Sequence, residues 1–187
     1  MKLDGRVKYT RRVLKEAFLK TMGEKPVNKI TVKEICSRAE LNRATFYTHY
    51  KDVYDLLSHI ENELVYDIAA SLGDTKNVPL QEVLCRIFAA VKKNADLCAL
   101  LFSDHGDKEV LRRIIAMGRE IGIKSWRDII PSASEMELER LYTFFAHGSV
   151  AIIERWVQDG MQEDPAIPAR FIASICHSCT CTFNSPL

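Results

Sequence analysis

Residues 31–50 spell a helix, a three-residue turn and a second short helix, and nothing else in the chain limits its fold as tightly. Thr31 followed by Glu34 is a capping box, in which each side chain satisfies the other residue's orphan backbone N–H at a helix start. Val32, Ile35, Cys36 and Ala39 recur at helical spacing and make one apolar face. Glu40, Leu41 and Asn42 form the turn, and Asn42 is a natural cap for a second helix over residues 43–50. In that helix Phe46 and Tyr50 share a face and are expected in the core. Arg43, Thr45, Tyr47 and His49 fall largely elsewhere, on a surface that meets something polar. A short exposed helix held at a fixed angle by its neighbour fits the DNA major groove.

The charge divides at the same place. The whole chain carries +1, but residues 1–51 hold 13 Lys/Arg against 5 Asp/Glu, whereas residues 52–187 hold 13 against 20. A basic first quarter on an acidic body is the pattern of an arm that meets phosphate and a body that does not. The expected domains are a helix-turn-helix DNA-binding domain at 1–51 and a helical body at 52–187. No apolar run reaches the roughly 18–20 residues that span a bilayer, and no apolar segment follows the N-terminal charges as a secretory leader requires. The expectation is a cytoplasmic protein without a membrane partner, its six cysteines held as thiols.

Elsewhere the helical period recurs and the strand period does not, which predicts an all-α chain of about nine helices. The first covers residues 9–22, with Val13, Leu14, Ala17, Phe18 and Met22 on one face. Asp52 and Asp55 cap a long fourth helix whose inner face carries Leu56, Leu57, Ile60, Leu64 and Ile68. Pro79 starts a fifth, residues 96–103 a sixth, and Asp107 a seventh. Ser134 with Glu137 is a second capping box and opens the eighth helix; the ninth runs from about Ala169 to Thr182. The last two carry more apolar surface than one compact body needs: Leu141, Phe145, Gly148, Ile152 and Trp156 on one, Phe171, Ile172, Ile175 and Cys179 on the other. These residues are candidates for a homodimer interface, with an intramolecular core as the alternative.

The basic three-helix start, the run Thr45-Phe46-Tyr47-Thr48-His49-Tyr50, the long fourth helix and the acidic helical body together resemble the TetR family of transcriptional regulators. The match is clearest over residues 30–57, and length and helix count extend it to the whole chain. Gly148 with Trp156 and Gly160 also resembles the end of helix 8 in one branch of that family. The resemblance implies a homodimeric DNA-binding regulator, a repressor in most members, released from a near-palindromic operator by a small molecule. The candidate DNA-contacting residues are Thr31, Lys33, Asn42, Arg43, Ala44, Thr45, Tyr47, His49 and Lys51. Arg43 has the planar fork that pairs with guanine and is the first choice for base readout; its alternative is a surface ion pair with Glu40. Thr31 and Lys51 would fix register on phosphate. The resemblance also places a small-molecule effector among helices 4 to 8, with Tyr66, Phe88, Leu101, Phe102, Met117, Trp126 and Phe144 as candidate walls. Two positions depart from the family pattern. Glu40 stands where the turn often has Gly, and Val53 stands where helix 4 tends to carry a phosphate-binding Lys, so that Lys51 and the helix N-terminus are left to replace it.

Cys176, Cys179 and Cys181 invite a thiol or metal-sensor reading of the same fold. A second Cys pair at matching distance is missing, and a helical period turns Cys181 away from Cys176, so no metal is assigned. A co-regulator acting mainly through other proteins is the remaining alternative. No Gly-rich phosphate loop and no nucleophile–base arrangement in motif context is found, so neither an enzyme nor a cofactor is expected.

Overall fold

The computed structural model describes residues 5–73, 78–103 and 108–183. Among them are nine α-helices and no strand, as the periodicity predicts: α1 (Gly5–Met22), a 3-10 turn (Val27–Lys29), α2 (Val32–Arg38), α3 (Arg43–Tyr47), α4 (Val53–Leu72), α5 (Leu80–Lys93), α6 (Ala95–Leu101), α7 (Lys108–Ile129), α8 (Glu135–Gln158) and α9 (Ala166–Phe183). Asp107, expected to open α7, lies outside the described residues. No described helix is long and apolar enough to cross a membrane. The chain divides into two compact units, with the division inside α4 between Glu63 and Leu64.

In the first unit, α1 packs on α2 and α2 on α3. Their shared core is built from Leu14 and Phe18, Ile35 and Cys36, Phe46 and Tyr50, and Leu56 and Ile60, all buried. The Thr31 capping box forms in both directions: Thr31 N–H donates to Glu34 at 2.9 Å, and Glu34 N–H donates to the Thr31 hydroxyl at 3.3 Å. Helix α2 ends in a Schellman motif, with Leu41 N–H on the Cys36 carbonyl at 2.9 Å and Glu40 N–H on the Ser37 carbonyl at 3.3 Å. That motif requires a left-handed residue, and Glu40 supplies it at φ 54°. A Cβ is unfavourable there by about 1–2 kcal/mol, so Glu40→Gly is expected to stabilise this unit by about 1 kcal/mol after glycine's extra chain entropy is subtracted. A urea midpoint that fails to rise would refute this.

In the second unit, α5 packs on α9, α7 on α8, and α6 touches α5, α7 and α8. Ile123, Trp126, Ile130, Leu138, Leu141 and Cys176 form one core cluster. Phe88 of α5 meets Trp156 of α8 edge to face at 5.1 Å. The Tyr142 ring lies on a flat of α7 made by two glycines. A Cβ at Gly118 would sit 2.9 Å from its hydroxyl, and one at Gly122 would sit 2.9 Å from its ring. The same hydroxyl donates to the Ile115 carbonyl. The glycines therefore set how closely α8 approaches α7. Helix α8 starts on the Ser134–Glu137 capping box and ends in a second Schellman motif, here with Gly160 at φ 74°. Helix α9 starts earlier than the prolines suggest. Pro168 sits in its first turn, where a backbone N–H has no helical partner to lose, and the Asp164 carboxylate accepts from Ala166 N–H at 2.8 Å.

Candidate nucleic-acid interface

Helix α3 is five residues long, too short to hold itself together, and is held by its N-terminal cap and by one buried ring. At its start the Asn42 side-chain carbonyl accepts from Thr45 N–H at 2.7 Å and from the Thr45 hydroxyl at 2.9 Å. Below it Phe46 is wholly buried, with Tyr47 and Tyr50 against its ring at 5.6 and 5.7 Å. The opposite face is open. Arg43 and Ala44 are exposed, and Tyr47 is 57% exposed. Thr48, absent from the sequence-based candidates, is exposed on the same helix end, its hydroxyl donating to the Thr45 carbonyl at 2.7 Å. Thr31, Lys33, Asn42 and Lys51 are exposed, while Thr45 and His49 are half-buried.

Ion pairing separates the cations into two sets. Lys25 pairs with Glu34 at 2.5 Å and Arg38 with Glu24 at 2.7 Å. The Lys25 ammonium, together with Thr31, holds the Glu34 carboxyl down at about 2. Lys33, Arg43 and Lys51 have no ion-pair partner among the described residues, so the Arg43–Glu40 pair weighed above does not form. Exposed cations without an ion-pair partner are available to a phosphate.

Helix α4 begins differently from expectation. Val53 is buried, so the position of the missing Lys belongs to the core. The helix N-terminus already holds two carboxylates: Asp52 accepts from Asp55 N–H at 2.8 Å, and Asp55 accepts from Lys51 N–H at 2.9 Å. Those two carboxylates place negative charge at the end of α4 where the sequence reading expects a phosphate. The Asp55 contact also fixes the backbone from which Lys51 projects.

Arg11 of α1 is a residue the sequence did not single out. Its Nε is buried without a hydrogen-bond partner, and its charge acts on His49 and Tyr50. Burial first, and Arg11 second, push the His49 imidazole below its ordinary value. Both effects favour the neutral ring in the free chain. Nothing local marks Arg11, because its partners lie some forty residues along the chain.

The faces of the helical body are sorted less simply. Of the candidate pocket walls, Phe88, Leu101 and Trp126 are buried and Phe102 and Met117 half-buried. Tyr66 is 74% exposed and Phe144 66% exposed, so neither lines an enclosed wall of its own unit. The buried stripe of α4 is Leu56, Ile60, Leu64 and Ile68, and Tyr66 lies roughly 200° around the helix from Leu64. Of the candidate dimer residues, Leu141, Trp156 and Ile172 are consumed by the unit's own core. Phe145, Ile152 and Cys179 are half-buried. Gly148, Phe171 and Ile175 are exposed, and an added Cβ at Gly148 would meet nothing within 4 Å. The exposed large apolar residues of α8 and α9 are thus Phe144, Phe171, Ile175, Ile167, Met136 and Phe183, of which Phe171 and Ile175 belong to the sequence-based set. Cys176 packs with Trp126 in the core, where burial pushes its thiol up, while Cys181 is exposed beside His177.

Residues 79–178 match the family model that describes the C-terminal region of TetR-type transcriptional regulators. A segment of 56 residues, 29% of the chain, is 41% identical to the uncharacterized HTH-type transcriptional regulator YxbF of Bacillus subtilis, and it spans 15% of that relative's length. Among solved structures, the fold is similar to NalD of Pseudomonas aeruginosa, the secondary repressor of a multidrug efflux pump, at a TM-score of 0.69 and 16% identity over 94% of this chain and 97% of that one. It is similar to DhaS, a dihydroxyacetone kinase operon activator, at 0.64 and 20% identity over 94% and 98%. It is also similar to FadR of Bacillus subtilis, solved in complex with stearoyl-CoA, at 0.63 and 14% identity over 88% and 96%. At these identities the structural likenesses speak for the fold.

Proposed function

The chain belongs to the TetR family of transcriptional regulators, and from that premise we propose that it is a homodimeric repressor that leaves its operator when a small molecule binds its helical body. The observation that carries the DNA reading is the open face of α3: Arg43, Ala44 and Tyr47 exposed on a helix pinned by buried Phe46, with Lys33, Arg43 and Lys51 unpaired around it. In this reading Arg43 reads a base edge, Tyr47 and Thr48 meet backbone or a thymine methyl, and Thr31 and Lys51 fix register on phosphate. A helix this short makes few base contacts. Two copies about a dyad, reading half-sites of a near-palindrome, supply the rest of the specificity. The exposed apolar residues of α8 and α9, Phe144, Phe171 and Ile175, are the surface assigned to that second copy. The effector would lie among Phe88, Leu101, Phe102, Met117 and Trp126, an apolar set that suits a hydrophobic or aromatic molecule. FadR, solved with stearoyl-CoA, supports an apolar effector by likeness of fold. An effector acts by binding one arrangement of the body better than the other.

The test is selection of genomic DNA fragments by the full chain at about 0.15 M salt, which suppresses the non-specific phosphate contribution, with Arg43→Ala alongside. Enrichment of one near-palindrome by the native chain is the expected result. Arg43→Ala is expected to weaken that site by about 1–3 kcal/mol and to blur one base position in each half-site. Native binding with unchanged affinity and preference in the variant would remove Arg43 from base readout. No enrichment by the native chain, with or without added cell extract, would overturn the DNA reading itself.

A further inference from the structure

Helix α1 carries six Lys/Arg against one Glu. Four of the cations, Lys8, Arg11, Arg12 and Lys15, stand at i, i+3, i+4 and i+7, the spacing of a single helix face. Like charges three and four residues apart destabilise a helix, so this stripe works against the element that carries it. The core does not need it: Lys8 and Arg12 are exposed, and the buried side of α1 is Leu14, Ala17 and Phe18. Lys15 pairs with Glu63 at 2.7 Å and Arg12 only loosely with Glu16 at 3.9 Å. Lys8 and Arg11 have no ion-pair partner among the described residues.

Two anchors set the direction in which the stripe runs. Glu63, the partner of Lys15, lies ten residues beyond Val53, about 15 Å along α4. One turn earlier in α1, the Arg11 charge acts on His49 and Tyr50, which precede α4. Toward its own N-terminus α1 therefore runs toward the end of α4 next to Lys51 and the chain leaving α3, and Lys8 is one turn further on. The Tyr9 ring, 57% exposed, lies under the Arg12 guanidinium at 5.5 Å and steadies its direction. We propose that Lys8 and Arg12 hold DNA phosphates beside the bases that α3 reads, which makes α1 a second contacting element of the same interface. The proposal rests on the DNA reading above and deepens it: these cations carry affinity and register, and no sequence information. A row of phosphates offsets the repulsion along the stripe.

The experiment measures binding of the full chain to a short mixed-sequence DNA duplex over a series of salt concentrations. The native chain is compared with Lys8→Ala, with Lys8→Ala combined with Arg12→Ala, and with Lys20→Ala. Lys20 is exposed outside the stripe and controls for bulk charge. The slope of log affinity against log salt is expected to fall in magnitude by about 0.9 for each phosphate contact removed, and to keep its native value in Lys20→Ala. Genomic selection by the double variant should return the native base preferences, unlike Arg43→Ala. Lys8→Ala breaks no ion pair and relieves a repulsion, so its thermal midpoint should hold or rise. An unchanged slope in Lys8→Ala and in the double variant, or an equal fall in Lys20→Ala, overturns the assignment and leaves the DNA reading standing. A shifted base preference, or a lowered midpoint in Lys8→Ala, also overturns it, by giving these side chains a base-reading or structural role. A native chain that binds no duplex overturns both readings.

Discussion

Phe46→Ala is expected to destabilise the first unit by about 3–5 kcal/mol and to abolish sequence-specific DNA binding. The ring is wholly buried and is the main apolar anchor of a five-residue helix. Without it α3 keeps its cap but loses what holds its open face at a fixed angle. The unit is small, and domains of about 60 residues have little stability to spare, so a loss of this size is comparable with the whole. Both tryptophans, Trp126 and Trp156, lie in the second unit, which gives the measurement its discrimination. In the variant, the helical signal should fall at a lower denaturant concentration than the tryptophan fluorescence. Coincident transitions at the native midpoint would sink the assignment of Phe46 as the anchor.

The second large effect concerns assembly. Phe144→Glu combined with Phe171→Glu is expected to weaken dimerisation roughly a thousandfold or more. A dimer closed through α8 and α9 would bury four such rings, each contributing about 1.5–3 kcal/mol when removed from water. In the single chain these two side chains are 66% and 56% exposed, so the variant should keep its fold and thermal midpoint as a monomer. Sedimentation of the native chain as a dimer at micromolar concentration, and of the variant as a monomer, is the expected pair of results. Its affinity for a full operator should fall to that for a half-site, because the second reading head is no longer tethered. A variant that remains dimeric would move the interface away from this face, and a native monomer would remove the dimer altogether.

The comparison of candidate residues with their positions separates short-range from long-range physics. The caps at Thr31, Asn42, Asp52 and Ser134, the turn between α2 and α3, and the inner stripes of α4 and α8 depend on residues three or four apart, and the sequence displays them directly. Part of the exposed set on α3 is legible for the same reason, since Phe46 and Tyr50 mark the buried side and leave Arg43 and Tyr47 on the other, whereas Thr45 and His49 are half-buried and Thr48 is exposed instead. Leu141, Trp156 and Ile172 were indistinguishable from interface residues, because an apolar stripe does not say whether its partner is the same chain or another copy.

What the sequence by itself determined is the all-helical fold, the helix-turn-helix and the polarity of charge along the chain. Each of these is set by spacing within one or two turns of helix or by a count of charges. Only the tertiary structure decided that Val53 is core, that Asp55 fixes the backbone of Lys51, that the Arg11 charge acts on His49, and that Gly118 and Gly122 seat Tyr142. It also decided that Tyr66 and Phe144 face outward and that His177, not Cys176, accompanies Cys181. Most of these depend on which helix packs against which, and at what distance. That choice arises from the summed burial of many side chains distant in sequence, and no local pattern encodes it.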